Sequence, residues 1–226
     1  MMNDSVDQNF QLAPLTYAPL LNSILLAAYR GPDFPCRLRL LRWLEAIVGP
    51  KRIIAPVEGQ LRFSLDHRDW VQRSLLYQGV YEPEVARHIR TSLAPGEIFL
   101  DAGAQVGWMS LVAASSGARV FAVEPDPLAC NILASNLSLN VPISSAVTIL
   151  QMALGDAIGI REFGRSHVSN TGLSALGLQG AVCQFDVSVA TIDSLVHDAV
   201  LPPPTAIKID VEGGELALLE GAKSAF

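Results

Sequence analysis

Cysteine is scarce in this chain of 226 residues, which has only Cys36, Cys130 and Cys183. Their wide, odd-numbered spacing excludes a disulfide framework and a CxxC metal site, and it fits a reducing, cytoplasmic compartment. Charge is thin as well, at 17% of residues, while half the residues are hydrophobic, which argues for a packed core over disorder. Basic residues are fewest where a nucleic-acid surface would need them. Residues 96–226 hold 5 basic and 13 acidic side chains, against 11 and 9 in residues 1–95. A half that acidic suits a phosphate backbone poorly, so nucleic acid is not an expected partner. No basic segment leads into an apolar one at the N-terminus, which argues against a secretory signal. An uncharged run over 127–155 is broken by Asn131, Asn136, Asn140, Pro142 and Gln151, so stable membrane insertion is not expected either.

The first third reads as an extension. Residues 1–19 are polar and then punctuated by proline, and they predict poor order. An apolar helix is expected over 20–29 and an amphipathic one over 37–48, stopped by Gly49-Pro50. Residues 52–55 and 60–65 have the makings of a hairpin around Glu58-Gly59. Pro83 opens a helix predicted over 83–93.

From residue 97 onward, strands and helices alternate. Short apolar strands are predicted at 97–100, 118–123, 147–151, 183–189 and 206–209, with helices at 106–116, 127–139, 191–197 and 213–222. The Gly- and Ser-rich stretch 164–180 reads as a mobile loop. Alternation of this kind predicts an α/β fold: a doubly wound, mostly parallel sheet with helices on both faces. The expected division is residues 1–77 as a helical and hairpin extension and 78–226 as the core. Open parallel sheets bind ligands beyond the carboxyl ends of their strands, which directs attention to the residues just after each strand.

Asp101-Ala-Gly-Ala-Gln-Val-Gly107 follows the first of these strands. Gly103 and Gly107 permit a tight turn into a helix, but Gln105 stands where a GxGxxG dinucleotide fingerprint needs glycine. An acid in front of the loop would oppose a pyrophosphate and suits an ammonium or sulfonium group. Glu124 ends the second strand, 23 residues after Asp101, a spacing that suits an acceptor for ribose hydroxyls. Together the two acids describe an adenosine-type ligand with a positive charge near Asp101, the form of S-adenosylmethionine. The last strand runs into Lys208-Ile-Asp-Val-Glu-Gly213, with Lys208 and Asp210 on one face. A carboxylate there, held ionised by Lys208, can orient or deprotonate a substrate hydroxyl. No histidine lies nearby, and a metal is not expected.

Five ordered segments resemble the FkbM-type methyltransferases: Asp101–Gly107, Val123-Glu124-Pro125, Ala153-Leu-Gly-Asp156, Thr191-Ile-Asp-Ser-Leu195 and Lys208–Gly213. Gly79-Val-Tyr-Glu-Pro83 resembles the segment which that family places before its first strand. The family comprises class I S-adenosylmethionine-dependent enzymes with a Rossmann-like fold, many of which methylate hydroxyls of natural products or sugars. The resemblance implies that Asp101, Gly103, Gln105 and Gly107 line the methionine part of S-adenosyl-L-methionine and that Glu124 holds its ribose. It further implies that Ala153 and Leu154 lie near the adenine, that Glu82 approaches the cofactor, and that Asp210 and Glu212 face the methyl group and a small-molecule or sugar acceptor. Such a sheet has seven strands, and only the first four of that order are placed here, so C-terminal strands are expected to be lacking. Two other readings stay open: an NAD(P)-dependent oxidoreductase, or a truncated, non-catalytic nucleotide-binding module.

Overall fold

A computed structural model describes residues 26–32, 35–48, 52–58, 60–167 and 170–225. The expected disorder of 1–19 lies outside the described residues. So does the start of the helix expected over 20–29; residues 26–30 are helical. The chain separates into two units, Met1–Val80 and Tyr81–Phe226.

The first unit contains helix α1 (Arg37–Val48), strands β1 (Arg52–Val57) and β2 (Leu61–Asp66), and helix α2 (Trp70–Gln78). The two strands form an antiparallel hairpin from Arg52↔Asp66 to Val57↔Leu61. It extends beyond the sequence expectation because Ile53, Ala55, Val57, Leu61, Phe63 and Leu65 alternate onto one buried face. Sequence periodicity does not announce α2, although both of its ends carry signals. The Asp69 side chain accepts from the Gln72 N–H, and Gly79 closes the helix at φ 73°, donating to the Leu75 carbonyl.

The second unit opens with α3 (Pro83–Ser92), with proline in its first turn. There follow β3 (Ile98–Ala102), α4 (Trp108–Ser115), β4 (Arg119–Val123), α5 (Pro127–Ser138), the single turn α6 (Val141–Ser144) and β5 (Val147–Leu150). Next come β6 (Ala153–Leu154), β7 (Gly159–His167), β8 (Asn170–Leu176), β9 (Cys183–Ala190), α7 (Ile192–His197), β10 (Ala206–Ile209) and α8 (Glu215–Glu220). One sheet has the order β10-β3-β4-β5, parallel throughout. Helices cover both of its faces. Leu100, Ala102, Phe121 and Val123 pack on Ile192, Leu195, Leu201, Leu218 and Ala222. Asp101 points the other way, onto Ser110 of α4. This is the doubly wound α/β architecture expected from the alternating pattern. The chain builds outward through β3, β4 and β5, then returns to lay β10 on the far side of β3. The reversal puts the switch point, where open sheets take their ligands, between the tips of β3 and β10.

Within the stretch 164–180, read from the sequence as a loop, residues 164–167 end β7 and residues 170–176 are β8. Both belong to a second sheet of order β6-β9-β7-β8, in which β7 pairs antiparallel with both β8 and β9. The glycine that looked like a loop residue sits inside the pairing. A Cβ on Gly164 would come within 2.7 Å of the Ala181 Cβ. Phe163, Val187, Val189 and Ala153 form a small core beneath the sheet. Arg165 anchors it by a two-point ion pair to Asp126, with Nε 2.8 Å from Oδ2, and both side chains are buried. Asp126 also caps α5 through the Leu128 N–H. Arg165→Lys keeps the charge and loses the fork, so urea denaturation should show a loss of ~1–2 kcal/mol. An unchanged midpoint would make the pair ornamental.

Among the described residues, no helix is long and apolar enough to cross a membrane.

Candidate active site

The tips of β3 and β10 touch through their backbones, and only glycine allows it. Gly103 has φ 79°, and a Cβ there would stand 1.9 Å from the Asp210 carbonyl oxygen. The Asp210 N–H donates to the Ala102 carbonyl at 3.0 Å. Gly103 and Ala104 both donate to the Val123 carbonyl, each at 3.0 Å, which ties the loop to the neighbouring strand. Gly107, at φ 84°, turns the chain into α4 where a Cβ would lie 2.9 Å from Leu133 of α5. Asn136 of α5 donates to the Val106 carbonyl and holds the loop from below.

Three acids and one lysine gather around this loop. Parallel register sets Lys208 directly beside Asp101. The Lys208 ammonium donates to the Gly103 carbonyl at 3.0 Å and lies 3.5 Å from Asp101 Oδ1 and 3.4 Å from Asp210 Oδ2. Burial works against its charge, but the two aspartates outweigh burial and raise its pKa. Asp101 is fully buried. One of its oxygens accepts from Ser110 Oγ at 2.6 Å, while Oδ1 has no hydrogen-bond partner. Asp210 remains half-exposed at the strand tip. Among the described residues, no group of three or more His, Cys, Asp or Glu side chains is placed to hold a metal.

Glu124 braces the other side of the loop. One carboxylate oxygen accepts the Gln105 N–H and the other the Asp126 N–H, both at 2.8 Å. Burial pushes its pKa up to about 7 even though both backbone donors favour the charged form. The Cys130 thiol donates to the Glu124 carbonyl, and burial together with the charges of Glu124 and Asp126 pushes it up to about 12.

The segment before α3 joins the same cluster. The Trp108 indole N–H donates to the Tyr81 carbonyl at 2.7 Å, and Glu82 follows with φ 47°. The Tyr81 phenol is raised by burial, by the charges of Glu82 and Asp210, and by a hydrogen bond to Glu82, with Lys208 opposing. Glu212, at φ 51°, is raised by burial and by the charges of Asp210 and Glu215. Glu82, Gln105 and Glu212 are thus non-glycine residues held in the left-handed region, each at ~1–3 kcal/mol, and such strain gathers at functional sites.

Asp101, Gly103, Gln105, Gly107, Glu124, Lys208 and Asp210 therefore come together at one end of the sheet, with Glu82 and Glu212 at its exposed margin. Ala153 and Leu154 instead bury their side chains in the two apolar cores, and β6 pairs with β9 at Val189 and Ala190. Tyr81 was not singled out from the sequence. Its one signal was its place beside Glu82 in Gly79-Val-Tyr-Glu-Pro83.

A doubly wound parallel sheet with a left-handed glycine loop, an acid at the second strand tip and a carboxylate across the switch point is a Rossmann-like α/β fold with a ligand site at its switch point. The Methyltransferase FkbM domain matches residues 101–226, more than half of the chain, and the chain belongs to that family of methyltransferases. It is 28% identical over 191 residues to the hexuronic acid methyltransferase AglP of Haloferax volcanii, covering 83% of this chain and 76% of that one. Among solved structures it is similar to the methyltransferase FkbM of Methylobacillus flagellatus, with TM-score 0.44 and 22% identity over 69% of this chain. It spans only 39% of that protein's length. A precorrin-6y C5,15-methyltransferase of Geobacter metallireducens is also similar, with TM-score 0.39, 18% identity, and coverage of 63% of this chain and 56% of that one.

Proposed function

We propose that the chain methylates a hydroxyl of a small molecule or sugar with S-adenosylmethionine, in a reducing, cytoplasmic setting and without a metal. Residues 78–226 would carry the reaction and residues 1–77 would be an extension. The observation that carries the reading is the contact between the glycine loop and the β10 tip, where Gly103 meets the Asp210 carbonyl. It supports the reading because the glycine loop and the strand tip that carries Asp210 adjoin at the switch point. The name of the Haloferax relative supports a sugar acceptor, and family membership favours methyl over hydride transfer.

The residues fit the cofactor. Each Glu124 oxygen has accepted one backbone N–H and keeps a lone-pair direction for a ribose hydroxyl. Asp101 Oδ1 accepts no close hydrogen bond, and the Lys208 ammonium 3.5 Å away balances part of its charge beneath the loop. When bound, S-adenosylmethionine supplies a methyl already activated on a sulfonium, so an acceptor oxygen can take it while sulfur keeps the bonding pair. The protein then has to align the acceptor and exclude water. Asp210 receives or orients the acceptor hydroxyl proton. Tyr81, Glu82 and Glu212 border the acceptor side.

Isothermal calorimetry with S-adenosylhomocysteine tests this. Wild type should bind one equivalent, and Asp101→Ala should bind about tenfold more weakly. A folded wild type that shows no binding heat would overturn the proposal.

A further inference from the structure

Lys208 stands where a second positive charge is least welcome if a sulfonium is the ligand. Its Nζ is bonded to the Gly103 carbonyl of the loop and lies between Asp101 and Asp210. Glu124, Tyr81 and Glu212 all sense its charge. The side chain is 14% exposed, so solvent and salt screen it little. Two aspartates alone would hold a cation tightly, and the ammonium between them cancels much of that field.

We propose that Lys208 is a positioning residue that sets the balance between the charged cofactor and its neutral product, by weakening the site's hold on the sulfonium relative to the thioether. This rests on the reading that the cofactor's sulfur end lies at the β3 and β10 tips. In the reaction the acceptor O–C bond forms, the C–S bond breaks with its pair left on sulfur, and the acceptor proton passes to Asp210. The positive charge therefore leaves sulfur as the methyl is transferred. A fixed ammonium nearby disfavours the ground state and is relieved along the path, which is differential binding of the kind that raises a rate.

S-adenosylmethionine and S-adenosylhomocysteine share adenine, ribose and amino-acid parts, so the ratio of their dissociation constants isolates the sulfonium charge. Calorimetry should show that Lys208→Gln shifts this ratio about tenfold toward S-adenosylmethionine, equivalent to ~1.4 kcal/mol. Lys208→Arg should retain the wild-type ratio. Asp210→Asn leaves the ammonium less neutralised, and its ratio should move the opposite way by about threefold; this half-exposed position gives a second test should Lys208→Gln fail to fold. Sinefungin, which carries an ammonium in place of the sulfonium, should follow S-adenosylmethionine in every variant. Ratios that stay within twofold of wild type in both Lys208→Gln and Asp210→Asn, with both ligands binding, overturn the proposal. Lys208→Arg behaving like Lys208→Gln also overturns it, since the role would then be shape and not charge. A wild type that binds neither ligand removes the functional reading itself.

Discussion

Gly103→Ala should lose at least ~4 kcal/mol of stability or fail to fold. Two separate penalties meet at this residue. A left-handed φ of 79° costs alanine ~1–2 kcal/mol. The new methyl would also overlap the Asp210 carbonyl at 1.9 Å, so the tips of β3 and β10 would have to part. Parting them breaks the Asp210-to-Ala102 hydrogen bond and pulls Lys208 away from the Gly103 carbonyl. Gly96 provides the control. It has the same left-handed geometry, at φ 88°, but nothing lies within 4 Å of a Cβ there. Gly96→Ala should therefore cost only the conformational part, ~1–2 kcal/mol. Urea denaturation of both variants reads the difference. Equal losses would show that the close approach of the two strand tips contributes nothing.

That contact also marks the limit of what the sequence can tell. The tips of β3, β4 and β10 were legible because parallel strands deliver the residues that follow them to one end of a sheet. Asp101, Glu124, Lys208 and Asp210 could thus be grouped without coordinates. Alternation marks the four strands of the parallel sheet, β9 and the helices between them to within a few residues. Tyr81 was not legible in this way, because it reaches the cluster through a backbone reversal at Glu82 and a bond from Trp108, 27 residues on. Neither has a periodic signature. The strand pairing of residues 164–167 and 170–176 is hidden from the sequence for a related reason. Gly164 there serves close packing against Ala181 and Leu178, and the stabilising Arg165–Asp126 pair spans 39 residues. Ala153 and Leu154 bury their side chains in the two apolar cores, a packing role that a family motif, which marks only position along the chain, does not announce.

With the ribose role proposed for it, Glu124 would couple stability and ligand binding in one carboxylate, with opposite pH trends. Its pKa in the folded chain is about 7 against an ordinary 4.5, chiefly because burial penalises the charge. Between those values the native state keeps a proton that the unfolded chain has released, so this group's contribution to stability falls as pH rises. It is fully present below about pH 4.5 and gone above about pH 7, a swing of ~3 kcal/mol. Glu124→Gln has nothing to titrate, so from pH 5 to pH 8 the difference in stability should move in favour of the variant, as read by thermal or urea unfolding at each pH. Ligand affinity should run the other way. An ionised carboxylate is the stronger acceptor for ribose hydroxyls, so wild-type affinity for S-adenosylhomocysteine should rise through pH 7. Glu124→Gln should bind at least thirtyfold more weakly at pH 8, with little pH dependence. The Gln amide can replace one of the two acceptor oxygens but not both, so either the Asp126 N–H or the Gln105 N–H loses its partner and the loop loosens. A variant that binds as tightly as wild type at pH 8 would place the nucleoside elsewhere. A wild-type affinity that is flat through pH 7 would mean that the ligand does not take its hydrogen bonds from this carboxylate.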